Sequence, residues 1–216
     1  MVPPLGSKDA QGNELQIGTN LYGAFLLTRL LYPVLQATAK REDTPRGSVR
    51  VTWAGSMGVD VSSYKPGGMA LDEEGQPIDK KDAWLNYGQT KAGNLWLANE
   101  FARRFGERDG IVHVCWNPGN LRTELQRHVP WWQAVLLKAA CYPAQNGAYT
   151  ELFAAVGEEL KEKPENQMDA WYVWPFGRTG SFREDIRIAM LQESQGGTGQ
   201  ATRFYDWVEK YTEKWT

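Results

Sequence analysis

Only two cysteines, Cys115 and Cys141, and two histidines, His113 and His128, occur in 216 residues. Both cysteines sit among apolar neighbours on separate elements. That argues against a disulfide framework and predicts two buried, reduced thiols in a cytoplasmic chain. So few histidines, without clustered carboxylates, argue against a metal site, and no metal is expected. Excess charge of one sign is also lacking. The 24 basic and 26 acidic residues are interspersed, the formal net charge is -2, and no basic stripe points to a nucleic-acid partner. Arg29, Pro33 and Lys138 break the longest apolar stretches well short of the about 18 residues that a membrane span needs. The first residues show no charged segment followed by an apolar one, so no secretory leader is expected. There is no G-x-S-x-G elbow and no T-G-x-x-x-G-x-G turn of the kind that cradles phosphates. The nearest glycine cluster, Gly196-Gly-Thr-Gly199, follows no expected strand.

Hydrophobic residues at 42% and aromatics at 12% suffice for a core, and the length fits one domain over 1–216. Apolar residues recur at helical spacing over Leu15–Ala39, with Pro33 expected to kink or tighten the helix near its end. Ser48–Ala54 alternates Val49, Val51 and Trp53 as a strand does. Val59–Asp82 is expected to be an exposed loop, Ala83–Phe105 a helix, and Ile111–Trp116 a strand buried on both faces. Asn146–Leu160 reads as a helix, Ala170–Trp174 as a short strand, and Gly199–Trp215 as a final helix after a polar turn. This alternation predicts an α/β fold with a parallel sheet whose ligands lie beyond the carboxyl ends of the strands. Ser56 and Asn117 fall at such ends.

Tyr87-Gly-Gln-Thr-Lys91 carries the chemistry. Positions i and i+4 share one helix face, so the phenol and the ammonium can enter one pocket. A neighbouring ammonium is expected to draw the phenol down from its reference pKa of about 10, making an acid/base pair near neutral pH. The spacing alone is common, and its setting gives it weight. Ser56 follows a strand ahead of it, and Asn117-Pro-Gly-Asn-Leu-Arg-Thr123 follows the next strand.

With Thr19-Asn20 in the first long helix, the order and spacing of these motifs resemble the short-chain dehydrogenase/reductase family, most closely its retinol-dehydrogenase-like branch of filamentous fungi. The resemblance runs through nearly all of the chain to about Leu160, and more loosely to the end. It implies a Rossmann-like doubly wound parallel sheet and NAD(P)-dependent oxidoreduction of a ketone or alcohol on a lipophilic small molecule, within secondary metabolism. By that resemblance Tyr87 is the general acid or base, Lys91 lowers its pKa and holds the nicotinamide ribose, Ser56 binds the substrate oxygen, and Asn20 anchors a relay water. Leu121 and Thr123 would hold the carboxamide, and Arg29 stands where this branch has a cofactor-contacting lysine. The cofactor is expected to be NADP, with NAD as the alternative. A homodimer through the Asn20 and Tyr87 helices is also implied.

The family opens with a strand, a glycine-rich turn and a helix facing the pyrophosphate. Its fourth strand ends in N-N-A-G, and this chain from Met1 onward resembles the segment just after that motif. The chain is therefore expected to be a truncated, C-terminal catalytic portion lacking roughly four strands and three helices, with the Ser56 strand at an open sheet edge. Two other readings stay open: a cofactor-independent isomerase, cyclase or lyase using Tyr87 and Ser56, and an inactive partner of a full-length relative. His113 is expected to be a satisfied core histidine. His128, near Arg127 and Trp131, is a lesser substrate-contact candidate, and the aromatic stretch Trp131–Tyr142 is expected to form a lid or pocket.

Overall fold

A computed structural model describes residues 2–123, 141–161 and 170–216. His128 and most of the aromatic stretch, with Trp131 and Trp132, lie outside the described residues. The first helical run has three parts: α1 (Leu15–Ile17), a π-helical turn (Gly18–Tyr22) and α2 (Gly23–Ala39). α2 runs through Pro33 and ends at Ala39, where the sequence places its end. β1 (Arg50–Ala54) follows, then α3 (Gly58–Val61), a single turn at the start of what the sequence presents as loop.

Asp82 starts α4 (Ala83–Phe101) by accepting from the N–H groups of Trp84 and Leu85 at 2.9 and 3.0 Å, which satisfies two of the donors a helix start leaves free. A π-helical turn (Ala102–Gly106) and α5 (Glu107–Asp109) close this run, and Gly110 at φ +69° turns the chain into β2 (Val112–Trp116). α6 (Ala144–Val156), β3 (Trp171–Trp174), a short β4 (Arg178–Thr179), α7 (Glu184–Met190) and α8 (Gln200–Thr212) complete the order.

The described strands lie in the order β1-β2-β3-β4, with β1–β2 and β2–β3 parallel and β3–β4 antiparallel. The register opposes Val51 to His113, Trp53 to Cys115 and Cys115 to Tyr172, so these side chains share one face. That face packs on α4 in the main core with Phe25, Trp96, Phe101 and Phe204. Val114, Trp171 and Val173 face the other way, onto α6 and Leu160. Helices therefore cover both faces of a Rossmann-like, mainly parallel sheet, and among the described residues β1 is an edge strand, as expected, with β4 at the other edge.

α4 is buried nearly all round: Ala92, Leu95, Trp96, Leu97, Ala98 and Phe101 are at most 1% exposed. The sheet lies on one side of it, and α7 and α8 of the same chain lie on another. The expected dimer surface on the Tyr87 helix is thereby taken up by the chain's own C-terminal helices along that stretch. His113 lies in the core as expected, though it is only half satisfied, since its Nε2 has no hydrogen-bond partner among the described residues. It is 1% exposed and stacks on Phe101, and its Nδ1 accepts from Trp53 Nε1 at 3.3 Å. Burial pushes it down to about 3. Cys115 is buried, whereas Cys141 is only half-buried.

Close approach of α3 to α4 requires Gly88. A Cβ there would lie 2.2 Å from the Ser62 carbonyl oxygen and 2.5 Å from the Ser63 nitrogen, both backbone atoms that cannot swing away. Gly88→Ala is expected to lower stability by about 2–3 kcal/mol in urea unfolding. Gly23→Ala, whose Cβ would meet only the Gly18 oxygen at 3.5 Å, should be neutral or stabilising by about 0.5–1 kcal/mol. Equal midpoints for the Gly88 variant and the parent would contradict the α3–α4 packing.

Candidate active site

β1 and β2 end side by side because the Gly55 N–H donates to the Trp116 carbonyl at 2.8 Å. Two residues beyond β1, Ser56 Oγ accepts from the Gly58 N–H at 3.0 Å and from the Tyr87 hydroxyl at 3.1 Å. Having accepted twice, the serine keeps its own proton to donate outward. Tyr172, on β3, donates its hydroxyl to the Ser56 carbonyl at 3.4 Å and so holds the same residue from behind.

Lys91 lies one turn along α4, its Nζ 5.8 Å from the Tyr87 ring centroid. It donates to the Ala54 carbonyl at 2.9 Å, an oxygen shared with Asn94 Nδ2 at 3.0 Å. The spacing thus brings tyrosine and lysine to one place, but the expected electrostatic effect does not follow. Burial pushes the Tyr87 phenol above its ordinary value, the Ser56 hydrogen bond offsets only part of this, and the Lys91 ammonium is not among the causes. Burial also holds the Lys91 ammonium below the usual lysine range. With the ammonium turned to Ala54, desolvation wins, and the phenol stays protonated at neutral pH.

Asn20 belongs to the π-helical turn, a distortion found often at functional sites. Its Nδ2 donates to Thr90 Oγ1 at 3.0 Å, between Tyr87 and Lys91 in sequence. Arg29 is not brought to this place: it is ion-paired with Glu209 on α8 at 3.1 Å. Beyond β2, Asn117 Oδ1 accepts from Gly119 N–H at 2.9 Å. Gly119 stands at φ +86°, where a Cβ would press on Pro175 at 3.2 Å. Leu121 bridges Tyr142, and the Leu121 side chain fills the space beside Gly147 on α6. The segment carrying Leu121 and Thr123 is therefore pinned beyond the end of β2 (Arg122 N–H to Tyr142 carbonyl, 2.9 Å).

Arg183 was not singled out by its sequence setting. Its guanidinium donates to Val59 and Ser63 carbonyls at 3.4 and 3.3 Å, to Ser63 Oγ at 2.7 Å, to the Tyr64 carbonyl at 3.0 Å and to Asp185. It thereby fastens α3, the turn after Ser56, to the start of α7. The contacts that tie Arg183 and Tyr172 to the site leave no local signal, because they reach backbone oxygens about 120 positions away in the chain.

With this geometry in place, comparison with known proteins is informative. No family model matches the chain. A short-chain dehydrogenase/reductase of Phomopsis amygdali is 42% identical over 212 residues, covering 97% of this chain and 61% of the relative. Short-chain dehydrogenase/reductase iacJ of Pestalotiopsis fici is 37% identical over 98% of this chain and 61% of its own length. Over nearly its whole length the chain is similar to curated short-chain dehydrogenase/reductases. It spans about three fifths of the length of these curated relatives. Among solved structures, an uncharacterized protein of Mycobacterium paratuberculosis superposes with a TM-score of 0.61 at 25% identity, over 99% of this chain and 63% of that one.

The Arg183 clamp gives this site an acid sensitivity. The Arg183 guanidinium beside Asp185 lowers that carboxyl from 3.8 to about 2, with help from the Gly67 N–H at 2.7 Å. A depressed carboxyl contributes stability that is fully present above about pH 4 and is lost as the pH falls through about 2. Asp185→Asn should therefore cost up to about 2 kcal/mol at pH 6 and almost nothing at pH 2. Urea midpoints across that range measure this, and a gap independent of pH would contradict the assignment.

Proposed function

We propose that the chain carries the catalytic portion of an NAD(P)-dependent oxidoreductase that interconverts a ketone and an alcohol on a lipophilic small molecule. The carrying observation is Tyr87 hydroxyl donating to Ser56 Oγ at 3.1 Å at the carboxyl ends of β1 and β2, with Lys91 one turn away. Tyr87, kept protonated by burial, gives its proton to a carbonyl oxygen, and Ser56 binds that oxygen with the proton it still has. Lys91 has three protons and gives one to Ala54, so its ammonium fits the hydroxyls of a ribose. Lys91 with Tyr87 would hold the nicotinamide riboside, and the segment with Leu121 and Thr123 would hold the carboxamide. The cofactor supplies the hydride. Among the described residues no glycine-rich turn joins a strand to a helix, so the fit is to the nicotinamide end alone. NADP is the cofactor proposed, with NAD as the alternative.

Exposed apolar side chains near these strand ends support a lipophilic substrate. Met57, Val61, Tyr142 and Phe176 are 38, 68, 53 and 39% exposed, and Tyr142 meets Phe176 edge-on at 5.2 Å. No helix among the described residues is long and apolar enough to cross a membrane. For the dimer, the outward stripe Leu27, Leu30, Leu31 and Val34 on α2 supports a face on the helix that continues from Asn20. Light scattering should then give twice the chain mass, and Leu30→Glu should return it to the monomer. A parent already monomeric at high concentration rules the dimer out.

Calorimetry of the folded chain with NADPH and NADP tests the reading. Micromolar binding should weaken at least tenfold in Lys91→Ala. Tyr87→Phe should bind as the parent does and lose about 10²–10⁴ in turnover. No binding at millimolar cofactor by a folded chain overturns hydride transfer for this chain and leaves acid/base chemistry at Tyr87 and Ser56.

A further inference from the structure

We infer that Thr90 is a positioning residue that sets the orientation of the Asn20 side-chain amide and fastens its π-helical turn to the Tyr87 turn of α4. The inference rests on the oxidoreductase reading for its consequence in turnover, though not for its geometry. Thr90 is fully buried, with no exposed surface. Its hydroxyl donates to the Tyr87 carbonyl at 2.8 Å and accepts from Asn20 Nδ2 at 3.0 Å.

A hydroxyl has one proton, and here the Tyr87 carbonyl, which cannot donate, takes it. Thr90 can then offer Asn20 only lone pairs. The amide must present its NH₂ group to Thr90 and turn its oxygen away, so the choice between two amide orientations is made by a third residue. Asn20 Oδ1 is thereby left to act as an acceptor. Asn20 gains this fixed polarity within a short π-helical turn, whose backbone is less regular than the α-helices on either side. Leu21 and Tyr22, which follow Asn20, are 0 and 5% exposed whereas Thr19 before it is exposed, so one side of the turn is packed and the hydrogen bond selects how the amide faces.

The contact is long-range, 70 positions apart in sequence, and it joins two elements that each carry a site residue. Thr90→Val removes donor and acceptor together while nearly keeping the volume, and Thr90→Ser keeps both. In ¹⁵N-asparagine-labelled protein, with Asn20 identified through Asn20→Asp, the Asn20 side-chain amide should show one slowly exchanging proton in the parent and in Thr90→Ser. Thr90→Val should lose that protection.

In NADP(H)-dependent turnover, Thr90→Val should lower kcat roughly ten- to a hundredfold with KM unchanged, Thr90→Ser should restore it, and in an Asn20→Ala background Thr90→Val should add nothing. An amide signal unchanged by Thr90→Val overturns the proposal. So does a parent-like kcat in a Thr90→Val protein whose amide has lost protection, or a Thr90→Ser that fails to rescue. Should Thr90→Val not fold, Thr90→Ala replaces it in the same measurements. If the parent has no turnover, the oxidoreductase reading fails, and the amide measurement alone decides whether Thr90 orients Asn20.

Discussion

Everything in this structure is arranged around a helix that has almost no access to water. α4 buries Asn86, Gln89, Thr90, Asn94, Asn99 and Glu100 together with its apolar side chains, and each buried polar group needs a partner or costs about 1–3 kcal/mol. Among the described residues the Oδ1 atoms of Asn94 and Asn99 have none, and the partners of the other groups come from several directions. Asn86 accepts from Lys80 N–H, and Gln89 binds the Ala70 N–H and the Ile78 carbonyl. Asn94 reaches Ala54, and Glu100 takes Arg103, Arg104 and the Thr202 hydroxyl. The long loop after α3, the end of β1, the first helical run and α8 are thus each tied to one helix by its polar side chains. The site is placed by the same means, since Tyr87 and Lys91 stand among these residues.

This helix also explains what could and could not be read from the chain. The strands at Val51 and Val114 were legible because alternation and all-apolar runs report burial directly. The Tyr87–Lys91 spacing, Ser56 and Asn20 were legible as a set, since helix geometry fixes which residues share a face. The depth to which α4 is buried was not, because its mixture of amides and apolar residues resembles an ordinary amphipathic surface helix. α3 and α7 were hidden for another reason. With 4 and 7 residues they are too short for local preference to sustain, and Arg183, on the Val59 carbonyl, and Asp185, on the Gly67 N–H, hold them through contacts distant in sequence.

The electrostatics of the pair correct the simplest expectation from spacing. Proximity in sequence said nothing about where the lysine would send its protons, and the Ala54 carbonyl lies nearer than the phenol's charge would. Arg29 gives the same lesson at longer range: a cation on the right helix, spent on Glu209. In both cases an oxygen from another element decided the partner, and only the assembled core supplies it.

A helix bonded to so many elements constrains how its lineage can change. Inserting or deleting one residue in α4 would turn everything beyond it by about 100° and carry the bonded side chains there off their partners at once. Single side chains can be exchanged, one contact at a time, but the length cannot drift. The interval from the Asp82 cap to Glu100 should therefore behave as a unit under descent, unchanged in count even where identities have diverged, while insertions and deletions gather in the turns outside it.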